Sequence, residues 1–132
     1  MTEDRSRIAW LVLRLVLAGL VAAHGYYRLF TGGSVPFGEW LNSQHIPFGP
    51  LVAWAITLTE VTFSILLALG RFVFPVTLVL SAIYAVGLVM VHAPNGWFVV
   101  GAGRNGVEFS VLLIATLLCV GLQHAPLAGK PR

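Results

Sequence analysis

The sequence is poor in charge. Only 10% of its 132 residues are Asp, Glu, Lys or Arg, and 58% are hydrophobic, whereas a typical soluble domain is about 25% charged. The eight basic residues are scattered along the chain rather than clustered, so no basic surface of the kind that binds nucleic acid is visible. The composition predicts an integral membrane protein with membrane lipid, and no nucleic acid, as its partner.

Cysteine is almost absent, because Cys119 is the only one. A lone thiol in an apolar segment gives no disulfide framework, no C-x-x-C redox pair and no cysteine metal site. This argues against the quinone-linked disulfide-forming enzymes, which also use four membrane helices but need cysteine pairs. A flavin or nicotinamide fingerprint is missing as well. Any role in electron transfer therefore requires a partner that brings another cofactor.

Long hydrophobic runs are what the sequence has in abundance. A helix needs about 20 apolar residues to cross a bilayer. Four runs approach this length, near residues 8–30, 50–69, 72–91 and 107–122. Their apolar residues do not alternate, and an open sheet could not satisfy its backbone in lipid. We expect an all-α membrane protein, a bundle of four transmembrane helices forming a single domain over residues 1–132.

The segment between the first two runs is too polar and too rich in Gly and Pro to span a membrane. Ser34 followed by Pro36 is typical of a helix start. Phe37, Trp40 and Leu41 would give such a helix one apolar side. The sequence therefore predicts a short amphipathic helix in the first outer loop.

The basic residues predict the orientation of the chain. Cytoplasmic segments of membrane proteins carry an excess of Lys and Arg. With a cytoplasmic N-terminus, five basic residues lie inside, namely Arg5, Arg7, Arg71, Lys130 and Arg132, and only Arg28 and Arg104 lie outside. We expect a multi-pass membrane protein with both termini in the cytoplasm.

Two charged residues fall within the predicted spans. Glu60 is near the middle of the second span, with Thr57 and Ser64 on the same helical face. A carboxylate at that depth is costly unless it is paired or protonated, so this face should point into the bundle. Arg14 reaches a similar depth when residues are counted from the cytoplasmic ends. We therefore predict an Arg14–Glu60 ion pair, which either fixes the helix register or relays a proton.

The remaining polar groups concentrate at the outer ends of the helices and in the outer loops. They are His24, Arg28, Glu39, His45, His92, Arg104 and Glu108. A helical bundle can hold a small ligand between apolar walls and a few polar groups. A quinone suits this site, because its head group needs hydrogen-bond donors and a proton carrier, which a histidine near a carboxylate supplies.

Specific roles follow for these residues. His92 and Glu108 are the predicted catalytic couple for proton transfer. The predicted ligand-binding residues are His24, Arg28, Tyr84, Trp97 and Arg104. Each ionisable residue also has a purely structural interpretation, since His92 can cap its helix and Glu108 can complement the positive end of the next one.

Haem and metal sites are weaker alternatives. His24 and His92 could serve as axial haem ligands from two helices, but two histidines without an attachment motif give little support. The same two histidines with Glu108 could bind a metal, with no better support. We predict a possible quinone ligand, disfavour haem and predict no metal.

Several motifs taken together resemble the DoxX family. They are LRLVLAGLVAAHGYYRLF in the first span, LTEVTFSILLALGRF in the second, VHAPNGWF after the third and NGVEFSVLLIATLL in the fourth. The resemblance covers nearly the whole chain. One departure is Tyr27-Arg28, where members often have a Lys; Arg keeps the charge but changes its geometry.

The resemblance implies a four-helix bacterial inner-membrane protein. Relatives include the membrane subunit of a thiosulfate:quinone oxidoreductase and proteins linked to oxidative-stress complexes. Two hypotheses follow. The chain is either a membrane subunit of a quinone-linked redox system, with a soluble or membrane redox partner, or a non-catalytic anchor that recruits such partners. The small residues of the first span also permit a homo-oligomer.

Overall fold

The computed structural model describes residues 2–101 and 104–126. These residues form five α-helices: α1 (Thr2–Thr31), α2 (Ser34–Ser43), α3 (Gly49–Leu69), α4 (Val73–Gly87) and α5 (Glu108–Gln123). A π-helical turn, Leu88–His92, and a 3-10 turn, Ala93–Asn95, continue α4. The described ranges contain no strand, so the all-α prediction is confirmed. Lys130 and Arg132, which counted toward the predicted orientation, lie outside the described residues.

Three helices in the described part of the chain are long and apolar enough to cross a membrane: Thr2–Thr31, Gly49–Leu69 and Val73–Asn95. The chain is thus a membrane protein by the length and composition of its helices. α1 begins six residues before the predicted start at residue 8 and carries Glu3 and Asp4 in its first turn, where acidic groups complement the helix dipole. α5 is apolar but has only 16 residues.

The chain forms two compact units, Met1–Arg71 and Phe72–Arg132. In the first unit, α3 packs against both α1 and α2. In the second unit, α4 packs against α5. Gly70 ends α3 with a φ of +68°, a left-handed conformation that glycine adopts without strain. The prediction of a single membrane domain stays a prediction.

Two close contacts fix how α1 and α3 pack. A Cβ added at Gly25 would lie 3.0 Å from both Glu60 Cβ and the backbone nitrogen of Val61. Arg14 precedes Gly25 by eleven residues on α1, and its guanidinium lies against Gly70. Gly70 in turn follows Glu60 by ten residues at the end of α3. α1 and α3 therefore run antiparallel in a defined register. Buried Leu17, Ala18 and Val21 fill the interval on α1.

The glycines Gly38 and Gly49 let α2 pack closely against the start of α3. A Cβ at Gly38 would come within 2.6 Å of Pro50 Cα. The backbone N–H of Gly49 donates to the side-chain oxygen of Asn42 over 2.8 Å. This bond satisfies one of the N–H groups that the first turn of α3 leaves without a helical partner. α2 is thereby held to α3.

The second unit has its own close contact. A Cβ added at Gly121 would fall on the Thr77 hydroxyl, so α5 and α4 approach closely near the C-terminal end of α5. The described core of the second unit consists of buried aliphatic residues from both helices. They are Val73, Val76 and Leu80 on α4 and Leu113, Leu117 and Val120 on α5.

The close approach at Gly25 generates a stability prediction. Gly25→Leu should lower stability in detergent by roughly 1–3 kcal/mol, because the Cβ alone would lie 3.0 Å from Glu60 and Val61 and the rest of the side chain would force α1 and α3 apart. Gly19→Leu is the matched control, since a Cβ at Gly19 would meet nothing within 4 Å on the same helix. Thermal unfolding of the purified variants measures both. Equal melting temperatures for the two variants would contradict the packing.

Candidate functional site

A buried ion pair joins α1 to α3 within the first unit. The Arg28 guanidinium pairs with the Glu60 carboxylate, and the two side chains are 20% and 2% exposed. Because side chains on a helix point back toward its N-terminus, Arg28 reaches from near the end of α1 toward the middle of α3. The partly exposed Arg28 thus connects the surface of the unit with a carboxylate in its core.

A chain of hydroxyl groups extends this pair. Arg28 Nε donates to Thr57 Oγ1 over 3.2 Å, and the Thr57 hydroxyl donates to the Ala53 carbonyl over 2.8 Å. Ser34 Oγ lies 3.1 Å from Thr57 Oγ1. A hydroxyl has one proton and two lone pairs, so Ser34 must be the donor and Thr57 accepts twice. Both hydroxyl groups are fully buried.

α2 also contributes an aromatic face to the site. The guanidinium carbon of Arg28 lies 5.1 Å from the centre of the Phe37 ring, within the range of a cation–π contact. Phe37 stacks on Trp40, with ring centres 6.2 Å apart. Arg28 is therefore held by a carboxylate and a hydroxyl of α3 and by an aromatic ring of α2. We call Arg28, Glu60, Thr57, Ser34 and Phe37 the Arg28 cluster.

The predicted Arg14–Glu60 pair is wrong, because Glu60 pairs with Arg28. The guanidinium of Arg14 lies against Gly70 at the C-terminal end of α3. Ten residues of helix separate Gly70 from Glu60, about 15 Å along the axis. A cation near the end of a helix interacts favourably with the helix dipole, which accounts for the location of Arg14. Counting depth from the presumed ends of the spans gave the wrong register.

His24 and Arg28 line one groove of the first unit, together with Ala23 and Tyr27, and its volume is about 250 Å³. The Nδ1 atom of His24 lies 2.8 Å from the Leu20 carbonyl oxygen. A carbonyl only accepts, so Nδ1 carries a proton and Nε2 is the acceptor of the neutral ring. Two of the predicted ligand-binding residues thus line the same shallow groove on α1.

The other predicted site residues belong to the second unit. His92 Nδ1 donates to the Asn105 carbonyl over 2.9 Å. The Glu108 carboxylate accepts the backbone N–H of Val99 over 3.0 Å. Each of the two predicted catalytic side chains therefore holds a backbone group of the connection between α4 and α5. A role in proton transfer stays a prediction for both.

Tyr84, Trp97 and Arg104 occupy two different settings in the second unit. Tyr84 is half-buried on α4, whereas Trp97 and Arg104 are exposed in the connection to α5. The side chain of Arg104 passes beside Gly101, whose φ is +102°. Across the described residues, no group of three or more His, Cys, Asp or Glu side chains is placed to share a metal ion.

Sequence reasoning missed Ser34 and Phe37 as members of the Arg28 cluster. The sequence predicts both only as parts of a short helix in the first outer loop. Their signal was the position of Phe37 three residues after Ser34, which puts both on one face of a helix. Thr57 was recognised as part of a polar face with Glu60, and both are buried.

Comparison with protein families gives one finding. The DoxX family model matches residues 9–93, which include the Arg28 cluster and end one residue after His92. Glu108 and the rest of α5 fall outside the matched range. Neither the curated proteins nor the solved structures contain a match to the chain.

The ion pair generates a prediction that separates the two arginines. Glu60→Gln should destabilise the protein by about 3–5 kcal/mol, because it leaves the Arg28 charge without its buried partner. In double-mutant cycles measured by unfolding in detergent, Arg28→Met and Glu60→Gln should couple by more than about 1 kcal/mol.

Arg14→Met provides the matched control for this cycle. Its effect should add to that of Glu60→Gln within roughly 0.5 kcal/mol, because the guanidinium of Arg14 lies against Gly70, ten residues along α3 from Glu60. Coupling of Arg14, rather than Arg28, to Glu60 would contradict the observed register.

Proposed function

Because the chain belongs to the DoxX family, we propose that it is an integral membrane subunit of a quinone-linked redox system. It lies in a bacterial inner membrane, with both termini in the cytoplasm, and α5 serves as its fourth crossing. A redox partner, soluble or in the membrane, brings the cofactor that exchanges electrons with the quinone. The chain itself supplies the quinone site.

The groove beside the Arg28 cluster is the observation that carries this proposal. Its lining combines a guanidinium, an imidazole and the aromatic ring of Tyr27 in a volume of about 250 Å³. A quinone head group presents carbonyl oxygens on a flat ring, so these side chains match its chemistry: Arg28 donates a hydrogen bond to an oxygen, and Tyr27 packs against the ring.

His24 is suited to follow the protonation of the head group. With Nδ1 donating to the Leu20 carbonyl, the neutral ring accepts a hydrogen bond at Nε2, as a quinol hydroxyl requires. The protonated ring donates from Nε2, as a quinone carbonyl requires. Histidine makes this exchange near neutral pH more readily than any other side chain.

The Arg28–Glu60 pair supports ligand binding by fixing the guanidinium before a ligand arrives. A donor whose rotamer is already set loses less entropy on binding. The residual exposure of Arg28 keeps part of its side chain at the groove, while Glu60 remains buried.

A second function, a non-catalytic anchor that recruits partner proteins, is favoured by the bonding of His92 and Glu108. Both side chains hydrogen-bond to backbone groups of the connection between α4 and α5. Bonds of this kind fix the conformation of a loop. In this case the chain would carry a stable soluble partner and no small molecule. Copurification of such a partner with a ligand-free protein would favour this function.

Analysis of bound small molecules tests the quinone proposal. The protein is purified in mild detergent, extracted with organic solvent and analysed by mass spectrometry beside its visible spectrum. Wild-type protein should retain a quinone, and His24→Ala should lower the occupancy roughly tenfold, the effect of about 1.4 kcal/mol in binding.

His45→Ala is the control for the same measurement, because His45 is exposed on another turn and bonds only locally to Ser43 among the hydrogen bonds described. Its quinone content should equal that of the wild type. A protein that carries no quinone, or a His24→Ala variant that stays fully loaded, would refute the proposal. A haem absorption band would point to haem instead.

A further inference from the structure

The connection between α4 and α5 carries a short apolar segment on its surface. Trp97, Phe98, Val99 and Val100 are 53%, 51%, 36% and 68% exposed. We call these four residues the apolar tip. Four consecutive apolar residues with this exposure are unfavourable in water, at about 25 cal/mol for each Å² of apolar surface. Something other than water is expected to cover them.

The level of the apolar tip follows from the helix that precedes it. The apolar stretch of α4 and its two turns runs over 23 residues, from Val73 to Asn95. About 20 helical residues cross the hydrocarbon of a bilayer, so a crossing that begins at Val73 reaches the far boundary close to Ala93. The apolar tip begins four residues later. It therefore lies at the level of the lipid headgroups.

The length of α5 leads to the same level. Its 16 residues cover about 24 Å, less than the hydrocarbon thickness of about 30 Å. Backbone bonds from Val107 to Gly96 and from Glu108 to Trp97, both 3.0 Å, place the start of α5 beside the apolar tip. The start of α5 and the apolar tip therefore share one level in the membrane.

Two backbone groups of the apolar tip are hydrogen-bonded within the protein. Irregular backbone near lipid must satisfy its polar groups within the protein. The Val99 N–H donates to the Glu108 carboxylate, and the Trp97 carbonyl accepts the Glu108 N–H. His92 fixes the far side of the connection through the Asn105 carbonyl. A Cβ at Gly106 would collide with the Trp97 and Phe98 carbonyls, so the connection closes tightly.

We infer that the apolar tip inserts into the boundary between lipid headgroups and acyl chains at the membrane face where α4 ends. Glu108 and His92 are positioning residues that hold the tip in its inserted shape. Trp is enriched at this boundary. Arg104 is exposed and close to the apolar tip in the sequence, so its guanidinium can meet lipid phosphates. The inference depends on the membrane location of the chain and is independent of quinone binding.

Fluorescence quenching tests the insertion. Trp10, Trp40 and Trp54 are replaced by Phe, and the full chain is placed in phosphatidylcholine vesicles whose lipids are brominated close to the headgroup. Emission from Trp97 should be quenched by these lipids and protected from aqueous acrylamide. Strong acrylamide quenching without lipid quenching would overturn the inference and point to a docking surface for a protein.

Two variants of Glu108 in this background test the positioning role. Glu108→Gln keeps an oxygen that accepts the Val99 N–H and should preserve lipid quenching of Trp97. Glu108→Ala removes the acceptor and should lose it. Unchanged lipid quenching of Trp97 in Glu108→Ala would refute the positioning role of Glu108.

A second measurement retains all four tryptophans. Val100→Cys, introduced together with Cys119→Ser, carries a spin label at the most exposed position of the tip. Collisions of the label with oxygen should exceed those with a water-soluble nickel complex, as they do for labels in lipid. The reverse order would overturn the inference. Gln44→Cys, in the same background, provides an exposed reference position.

Discussion

The ion pair between Arg28 and Glu60 is the interaction on which the first unit depends. A charged carboxylate inside a membrane-spanning helix costs several kcal/mol unless a partner compensates it. Glu60 is 1% exposed, so its partner must come from a neighbouring helix in a fixed register. That requirement ties the position of α1 on α3 to a single favourable arrangement, because a shift by one turn would separate the charges.

Small residues make this arrangement possible. Gly25 brings the backbone of α1 against Glu60 and Val61, and close helix approach of this kind drives association in membranes, where lipid is as apolar as the helix surface. The Arg28 side chain then extends one turn along α3 to the Thr57 hydroxyl. Packing and charge pairing therefore favour the same register, and each would be weakened by loss of the other.

The role of α2 follows from the same cluster. Ser34 reaches Thr57, and Phe37 lies over the Arg28 guanidinium. A short helix between two long ones is thus bonded to the buried charges and does not merely connect the spans. These contacts of α2 fix the position of the Arg28 guanidinium, which also lines the groove on α1.

The hydropathy pattern predicted an all-α chain and the three described helices of spanning length, since apolar runs of that length have few alternatives. It could not predict which arginine meets Glu60. That choice depends on the register set by Gly25, and glycine leaves little trace in a hydropathy pattern. Likewise, the sequence indicated His92 and Glu108 as neighbours in the fold, but their backbone partners at Asn105 and Val99 depend on how the connection folds back.

Isotope-edited infrared spectroscopy of the Glu60 side chain tests the central ion pair most directly. The difference between labelled wild-type protein and Glu60→Gln should contain the bands of an ionised carboxylate, and these should persist in Arg14→Met but change in Arg28→Met. Bands of a protonated carboxylic acid in the wild type, or a carboxylate that responds to Arg14→Met and not to Arg28→Met, would contradict a charged pair between Arg28 and Glu60.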